Sequence, residues 1–303
     1  MDGMEPYMPT VKADTGSAAV KERVRQFYDR VGWQPGGEGV YQNARYEDLR
    51  PVAREYVHRC HLRVARHLKP AGRYFLDAGS GPVQYPEYLV YSQGYRYRVC
   101  VDLSGVALQE ARIRLGEHAL CVVADVAHLP FKTGTFEGAV SLHTFHHLPA
   151  AEQAGAYDEL FRAMAPGSSA VVVNGWTDAP LMRRLKWMVT LTEGMARLAR
   201  RRKGASVESS APAGRSDAEA LPTGTFVEKI DAAWLKRQLQ GKMRFEIRCW
   251  RSLSVRFMRA VIKPWLGGRF WLRLIFWLEE RFPRYFGENG QYPLVVIFKP
   301  GVG

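Results

Sequence analysis

Three aspartates carry the first chemical signal in this chain. Asp77, Asp102 and Asp125 each end a short apolar run: Tyr74-Phe75-Leu76-Asp77, Arg98-Val99-Cys100-Val101-Asp102 and Ala119-Leu120-Cys121-Val122-Val123-Ala124-Asp125. The first runs at once into Ala78-Gly79-Ser80-Gly81, a turn whose glycines allow sharp bending and close approach to a ligand. The N–H groups opening the next helix would then face a ligand on that turn. If the three runs are parallel strands, their acids share one sheet edge, the edge at which open α/β folds bind ligands. Such an edge offers acceptors for hydroxyls and an amine, which suits a nucleoside with a charged tail. A nicotinamide dinucleotide is the rival ligand, but the third position of its Gly-x-Gly-x-x-Gly fingerprint is Gln84.

The surrounding elements have the spacing to position these acids. After the glycine turn a helix is expected from about Gln84, then the strand ending at Asp102. Ser104 caps a helix over 106–115, and the strand ending at Asp125 follows. Phe136 to Leu142 reads as a fourth strand, Glu152 to Met164 as a helix, and Ala170 to Asn174 as a fifth strand. This alternation predicts a mostly parallel sheet with helices on both faces. Two helices precede it, one from Ala19 closed by Gly36, Gly37 and Gly39. The other is led by Asp48 and Pro51 and carries Val52, Tyr56, Cys60, Val64 and Leu68. They form an expected N-terminal cover over residues 1–70, with 1–18 loose. Residues 71–178 are the expected binding core, and 179–228 a basic insertion with a flexible linker at 204–224. Residues 229–303 hold the last helix and strands with a basic aromatic insertion at 251–289.

Composition narrows the setting. The 303 residues are 47% hydrophobic and 24% charged, ordinary for a globular chain. The four cysteines, Cys60, Cys100, Cys121 and Cys249, form no C-x-x-C pair and read as structural thiols in a reducing compartment. No secretory leader or membrane-spanning run is evident, so a cytoplasmic location is expected. Net charge is +13, and residues 178–303 supply all of it, with 24 Lys+Arg against 11 Asp+Glu. A neutral front and a basic back imply two tasks, the second facing something anionic or interfacial.

Taken together, Leu76-Asp77-Ala78-Gly79-Ser80-Gly81, Val101-Asp102-Leu103-Ser104, Ala124-Asp125-Val126-Ala127-His128-Leu129-Pro130-Phe131, Phe136-Glu137-Gly138-Ala139-Val140-Ser141 and His146-His147-Leu148-Pro149 resemble the class I S-adenosylmethionine-dependent methyltransferases. The resemblance is to their small-molecule, type 11 branch, which includes quinone and sterol methyltransferases. It implies a Rossmann-like, seven-stranded sheet with insertions after strands 5 and 6, and S-adenosylmethionine as cofactor. Carried over by position, Gly79 and Gly81 would approach the methionine and ribose. Asp77 would orient the turn or meet the amino group. Asp102 would take the ribose hydroxyls, with Leu103 against the adenine. Asp125 and the Val126 N–H would meet the adenine edge, and Leu142 would line the site. One departure is Val83, where the family usually has a third glycine.

Methyl transfer asks for positioning and, for an oxygen acceptor, a nearby base. His143, His146 and His147 follow the fourth strand, where related O-methyltransferases place such a base, and Asp178 could orient one of them. No carboxylate or cysteine stands at a ligand spacing from them, so no metal is expected. A nucleic-acid acceptor is disfavoured, since Ser141-Leu142-His143-Thr144 replaces the Asn/Asp-Pro-Pro-aromatic stretch of amino-group base methylation. Along Arg269–Arg281, Phe270, Trp271, Leu274, Ile275, Trp277 and Leu278 alternate with charge, as in a basic amphipathic helix. That helix would lie on an anionic membrane surface, roof an apolar pocket, or pack on the core. The expectation is a small or lipid-like acceptor, O-methylated in a biosynthetic pathway. Alternatives are C-methylation of a quinone or isoprenoid, or a non-catalytic module of the same fold.

Overall fold

A computed structural model describes residues 16–34, 41–43, 47–202 and 225–301. The predicted loose start and the linker at 204–224 lie outside the described residues, except for residues 16–18, which open α1. The strands are β1 (Gly72–Ala78), β2 (Tyr95–Asp102), β3 (Ala119–Val123), β4 (Phe136–Leu142), β5 (Met164–Val173), β6 (Arg244–Arg251) and β7 (Tyr292–Phe298). They form one sheet in the order β3-β2-β1-β4-β5-β7-β6. β7 runs antiparallel to both β5 and β6, and the other pairs are parallel. The seven-stranded, mostly parallel expectation holds.

Strand alternation builds two apolar layers. Phe75, Val140, Val171, Val173, Leu294 and Val296 face one side, against α2 (Arg54–Leu62) and the helices after β6. Leu76, Ala139, Ala170, Val172, Val295 and Ile297 face the other, against α5 (Ala150–Ala163) and α8 (Ala232–Leu239). Between them, α3 (Glu87–Val90) follows β1 and α4 (Gly105–Leu115) follows β2. The Ser104 hydroxyl accepts from Ala107 N at 3.0 Å, the cap that its position announces.

The helix expected from Gln84 starts only at Glu87 and lasts four residues. Pro86 disfavours helical backbone at Tyr85, and Val83 adopts a left-handed φ of 53°. The first helix, α1 (Ser17–Phe27), runs into a π turn at Tyr28–Gly32 and ends before the predicted glycines. The basic insertion opens with two helices, α6 (Pro180–Arg184) and α7 (Lys186–Arg202). The basic aromatic insertion holds α9 (Val255–Val261), α10 (Gly268–Arg281) and α11 (Pro283–Asn289).

Helix α10 combines a packed stripe with an exposed apolar face. Leu272, Phe276 and Glu279 are buried at i, i+4 and i+7. Glu279 Oε1 accepts from Tyr56 at 2.6 Å, Ser252 N at 2.8 Å and Ser252 Oγ at 2.5 Å, and Oε2 accepts from Arg63 at 2.8 Å. Phe270, Trp271, Leu274 and Trp277 are left exposed. Among the described residues, no helix is long and apolar enough to cross a membrane.

Candidate functional site

The three acids lie where the sequence places them, at or just beyond the ends of neighbouring strands β1, β2 and β3. A cavity of about 1000 Å³ opens over that edge. Its lining includes Asp77, Gly79, Gly81, Asp102, Leu103, Asp125, Val126 and Leu142, and also His143, His146 and His147. That volume is at the top of the range of about 300–1,000 Å³ usual for a single-ligand site.

The acids differ in what they already hold. Asp77 is committed to Arg98, whose Nε and Nη2 reach its Oδ2 at 3.0 and 2.5 Å in a fully buried pair. Asp102 accepts from Gly81 N and Ser104 N, both at 2.9 Å, one on each oxygen. Burial pushes its carboxyl up to about 6. A carboxylate oxygen has further lone pairs, so Asp102 retains capacity for two hydroxyls. Asp125 accepts from Ala127 N at 2.9 Å and pairs with Lys21 at 2.5 Å. Burial raises the Asp125 carboxyl, but Lys21, the Ala127 N–H and His128 together hold it below the usual range.

The glycine turn corrects one expectation. Its N–H groups do not face the cavity as free donors: Gly79 and Ser80 both donate to Val101 O, at 2.7 and 3.0 Å, and Gly81 donates to Asp102. Gly79 takes φ 78° and Gly81 φ 51°, and a Cβ at Gly79 would sit 2.2 Å from Thr144. The turn therefore shapes the cavity, and the carboxylates supply its polarity.

The N-terminal segment closes the crevice from above. Lys21 also pairs with Glu152, and Asp29 accepts from Ser104 Oγ at 2.5 Å. Trp33 lies over Gly81, 2.9 Å from where a Cβ would be, and stacks on Tyr28 with centroids 4.9 Å apart. The Tyr28 hydroxyl meets His147 Nε2 at 2.8 Å, and His147 Nδ1 meets Phe226 O at 2.7 Å. A carbonyl can only accept, so Nδ1 carries the hydrogen and Tyr28 donates to Nε2. Both nitrogens of His147 are thus engaged in holding α1 and the segment after residue 225.

The other two histidines are freer. His146 Nδ1 faces Asn174 Oδ1 at 3.2 Å, which leaves Nε2 as an acceptor. Asp178 instead pairs with Arg183, so the neighbour of His146 is Asn174, which sequence spacing did not single out. His143, just past β4, has φ 56°, a left-handed value unusual outside glycine and asparagine. Its ring lies 5.0 Å from Trp250 and 5.8 Å from Tyr292. Burial, then nearby Arg251, lowers the His143 imidazole to about 3, and burial lowers His147 to about 4. All three rings are neutral at pH 7, His146 being held well down by burial and its histidine neighbours. Among the described residues, no group of three His, Cys, Asp or Glu could hold a metal ion.

Residues beyond the sequence reading complete the cavity: Glu47 and His61 from the chain before β1, and Arg251 at the end of β6. No motif marks them, since they come from distant segments.

The type 11 methyltransferase domain family matches residues 76–172. A 24-methylenesterol C-methyltransferase 3 of Arabidopsis thaliana is 32% identical over 106 residues, 33% of this chain and 28% of that protein. The chain thus spans little more than a quarter of the length of this curated relative. The [4+2]-cyclase SpnF shares the fold over 93% of this chain and 98% of its own, at 17% identity and TM-score 0.50. A Haemonchus contortus phosphoethanolamine N-methyltransferase 1 does so over 95% and 51%, at 10% identity and TM-score 0.55.

Proposed function

Because residues 76–172 match the type 11 methyltransferase domain family, we propose that this chain is an S-adenosylmethionine-dependent methyltransferase of a small or amphipathic acceptor, most readily an oxygen. The observation that carries the reading is the single cavity that gathers all eight expected cofactor residues and the three histidines. The residues fit the cofactor: partly exposed carboxylates at Asp102 and Asp125 suit ribose hydroxyls and an adenine amine. Leu103, Val126 and Leu142 give the ring apolar walls. Bound S-adenosylmethionine supplies an electrophilic methyl group on a sulfonium.

The chain's own part is to position and to move a proton. Gly79 and Gly81 set the turn, and Trp33 and Tyr28 exclude water above it. His143 and His146 stand as the acceptor-side bases, while His147 positions α1. An imidazole with a lowered basicity stays neutral and takes a proton only as the acceptor oxygen gains its methyl group and turns strongly acidic. The test is calorimetric titration with S-adenosylmethionine; no binding at millimolar cofactor overturns the reading.

The sterol C-methyltransferase relative favours carbon as the second acceptor type. Transfer from ¹³C-methyl cofactor to a panel of phenols and hydroxyquinones separates the two, because O-methyl and C-methyl carbons resonate far apart. SpnF, a [4+2]-cyclase on this fold, supports keeping a module without methyl transfer as the outcome if cofactor binds and no acceptor is methylated.

The acceptor's route is the anionic face of a membrane. Supporting this are exposed Phe270, Trp271, Leu274 and Trp277 on α10, with Trp265 at 79% exposure in the preceding turn. Arg269, Arg281 and Arg284 share that surface. Flotation with phosphatidylglycerol vesicles should recover the protein, and phosphatidylcholine vesicles should not.

A further inference from the structure

The end of the cavity beyond the histidines is built from buried charge. Arg251 is 2% exposed and His61 1%, and Glu47 between them is also buried. Arg251 Nη1 donates to Glu47 Oε1, while His61 Nε2 lies 3.8 Å from the other oxygen. His61 Nδ1 is 3.6 Å from Glu87, beyond hydrogen-bond length. Aromatic rings fix the group: the guanidinium lies over Trp250 at 4.9 Å and Tyr292 at 4.6 Å, and His61 stacks on Trp250 at 5.3 Å.

What this cluster lacks is acceptors at hydrogen-bond length. Among the described residues, Arg251 Nε and both His61 nitrogens are buried with no hydrogen-bond partner. Arg251 makes its side-chain hydrogen bond through Nη1 alone, so its Nε–Nη2 edge is unused. Buried donors left unmet are rare, and here they line a cavity wide enough for a second molecule beside the cofactor. The Nε–Nη2 edge is the fork that takes a planar carboxylate with two parallel bonds. The ring of His143, one of the proposed acceptor-side bases, lies 5.0 Å from Trp250.

We propose that Arg251 and His61 form the anchoring site for a carboxylate on the acceptor, with flat walls at Tyr292 and Tyr85 selecting a planar, conjugated acid. The proposal rests on the methyltransferase reading for the word acceptor, but the carboxylate site stands apart from the cofactor. Glu47 holds Arg251 in place as a positioning residue, and the carboxylate completes the donors that Glu47 leaves open.

The probe is benzoate, titrated into the full chain by calorimetry with and without S-adenosylmethionine. Cofactor binding is measured separately, so a failure of the cofactor reading is seen on its own. The expected result is saturable benzoate binding that weakens about tenfold or more in Arg251→Lys, which keeps the charge and loses the fork. Cofactor affinity should stay unchanged. His61→Gln gives an independent answer should Arg251→Lys not fold, and the same loss is expected there. Cyclohexanecarboxylate should bind more weakly than benzoate. Benzoate that fails to bind the wild-type chain, or binds both variants as well as wild type, overturns the proposal.

Discussion

Asp102 shows how one residue couples the fold to its ligand. Its carboxylate ties Gly81 to Ser104 and still faces the cavity, at the cost of desolvation that lifts it to about 6. In the proposed site ribose hydroxyls donate to the carboxylate, so cofactor binding favours the deprotonated form. Affinity for S-adenosylmethionine should therefore be flat above about pH 7 and weaken by up to tenfold per unit below about pH 6. Calorimetry across that range checks the sign, and Asp102→Asn should flatten the profile as well as weaken binding. Val83 is the other instructive residue. Its missing glycine was legible as a departure, but the sequence could not say what valine does there. Its side chain is fully buried in the layer under α2, while its φ of 53° costs about 1 kcal/mol or more. Val83→Gly relieves that strain yet removes a buried side chain worth about 2 kcal/mol and adds chain entropy. The variant should be about 1–2 kcal/mol less stable in urea unfolding, with cofactor affinity kept.

At the scale of elements, α10 is held by a buried carboxylate as well as by its apolar stripe. Glu279 accepts from Tyr56, Ser252 and Arg63, all away from water. Glu279→Ala leaves Arg63 with Glu280 and the Trp250 carbonyl as close acceptors and orphans Ser252, so a loss near the lower end of about 3–5 kcal/mol is expected. Glu280→Gln, a half-exposed neighbour, should cost under about 1 kcal/mol. Denaturant midpoints for the two variants check both figures. The strands and their acids were legible because short continuous apolar runs ending in aspartate leave few alternatives. The dual nature of α10 was not, since its amphipathic pattern fits a core stripe and a surface stripe equally. The late start of α3 followed from Pro86, a local rule that the glycine turn had masked. Arg251, Glu47 and His61 were illegible because tertiary packing alone brings β6 to the chain before β1.

For the whole molecule, charge and aromatic exposure are segregated from the cofactor edge. Replacing Trp271 and Trp277 by serine should abolish flotation on phosphatidylglycerol vesicles and leave cofactor affinity untouched, since neither side chain lines the cavity.

One feature of the crevice has a kinetic consequence. Lys21 pairs with Asp125, the carboxylate expected to meet the adenine amine, while Tyr28 and Asp29 fasten the same segment to His147 and Ser104. On the proposed reading, cofactor and spent product exchange only when α1 lifts, whereas methyl transfer proceeds with it closed. Such an enzyme forms its first product equivalent in a burst and afterwards runs at the pace of S-adenosylhomocysteine departure. Rapid-quench measurement should show that burst, and Lys21→Ala should shrink it by quickening the steady state.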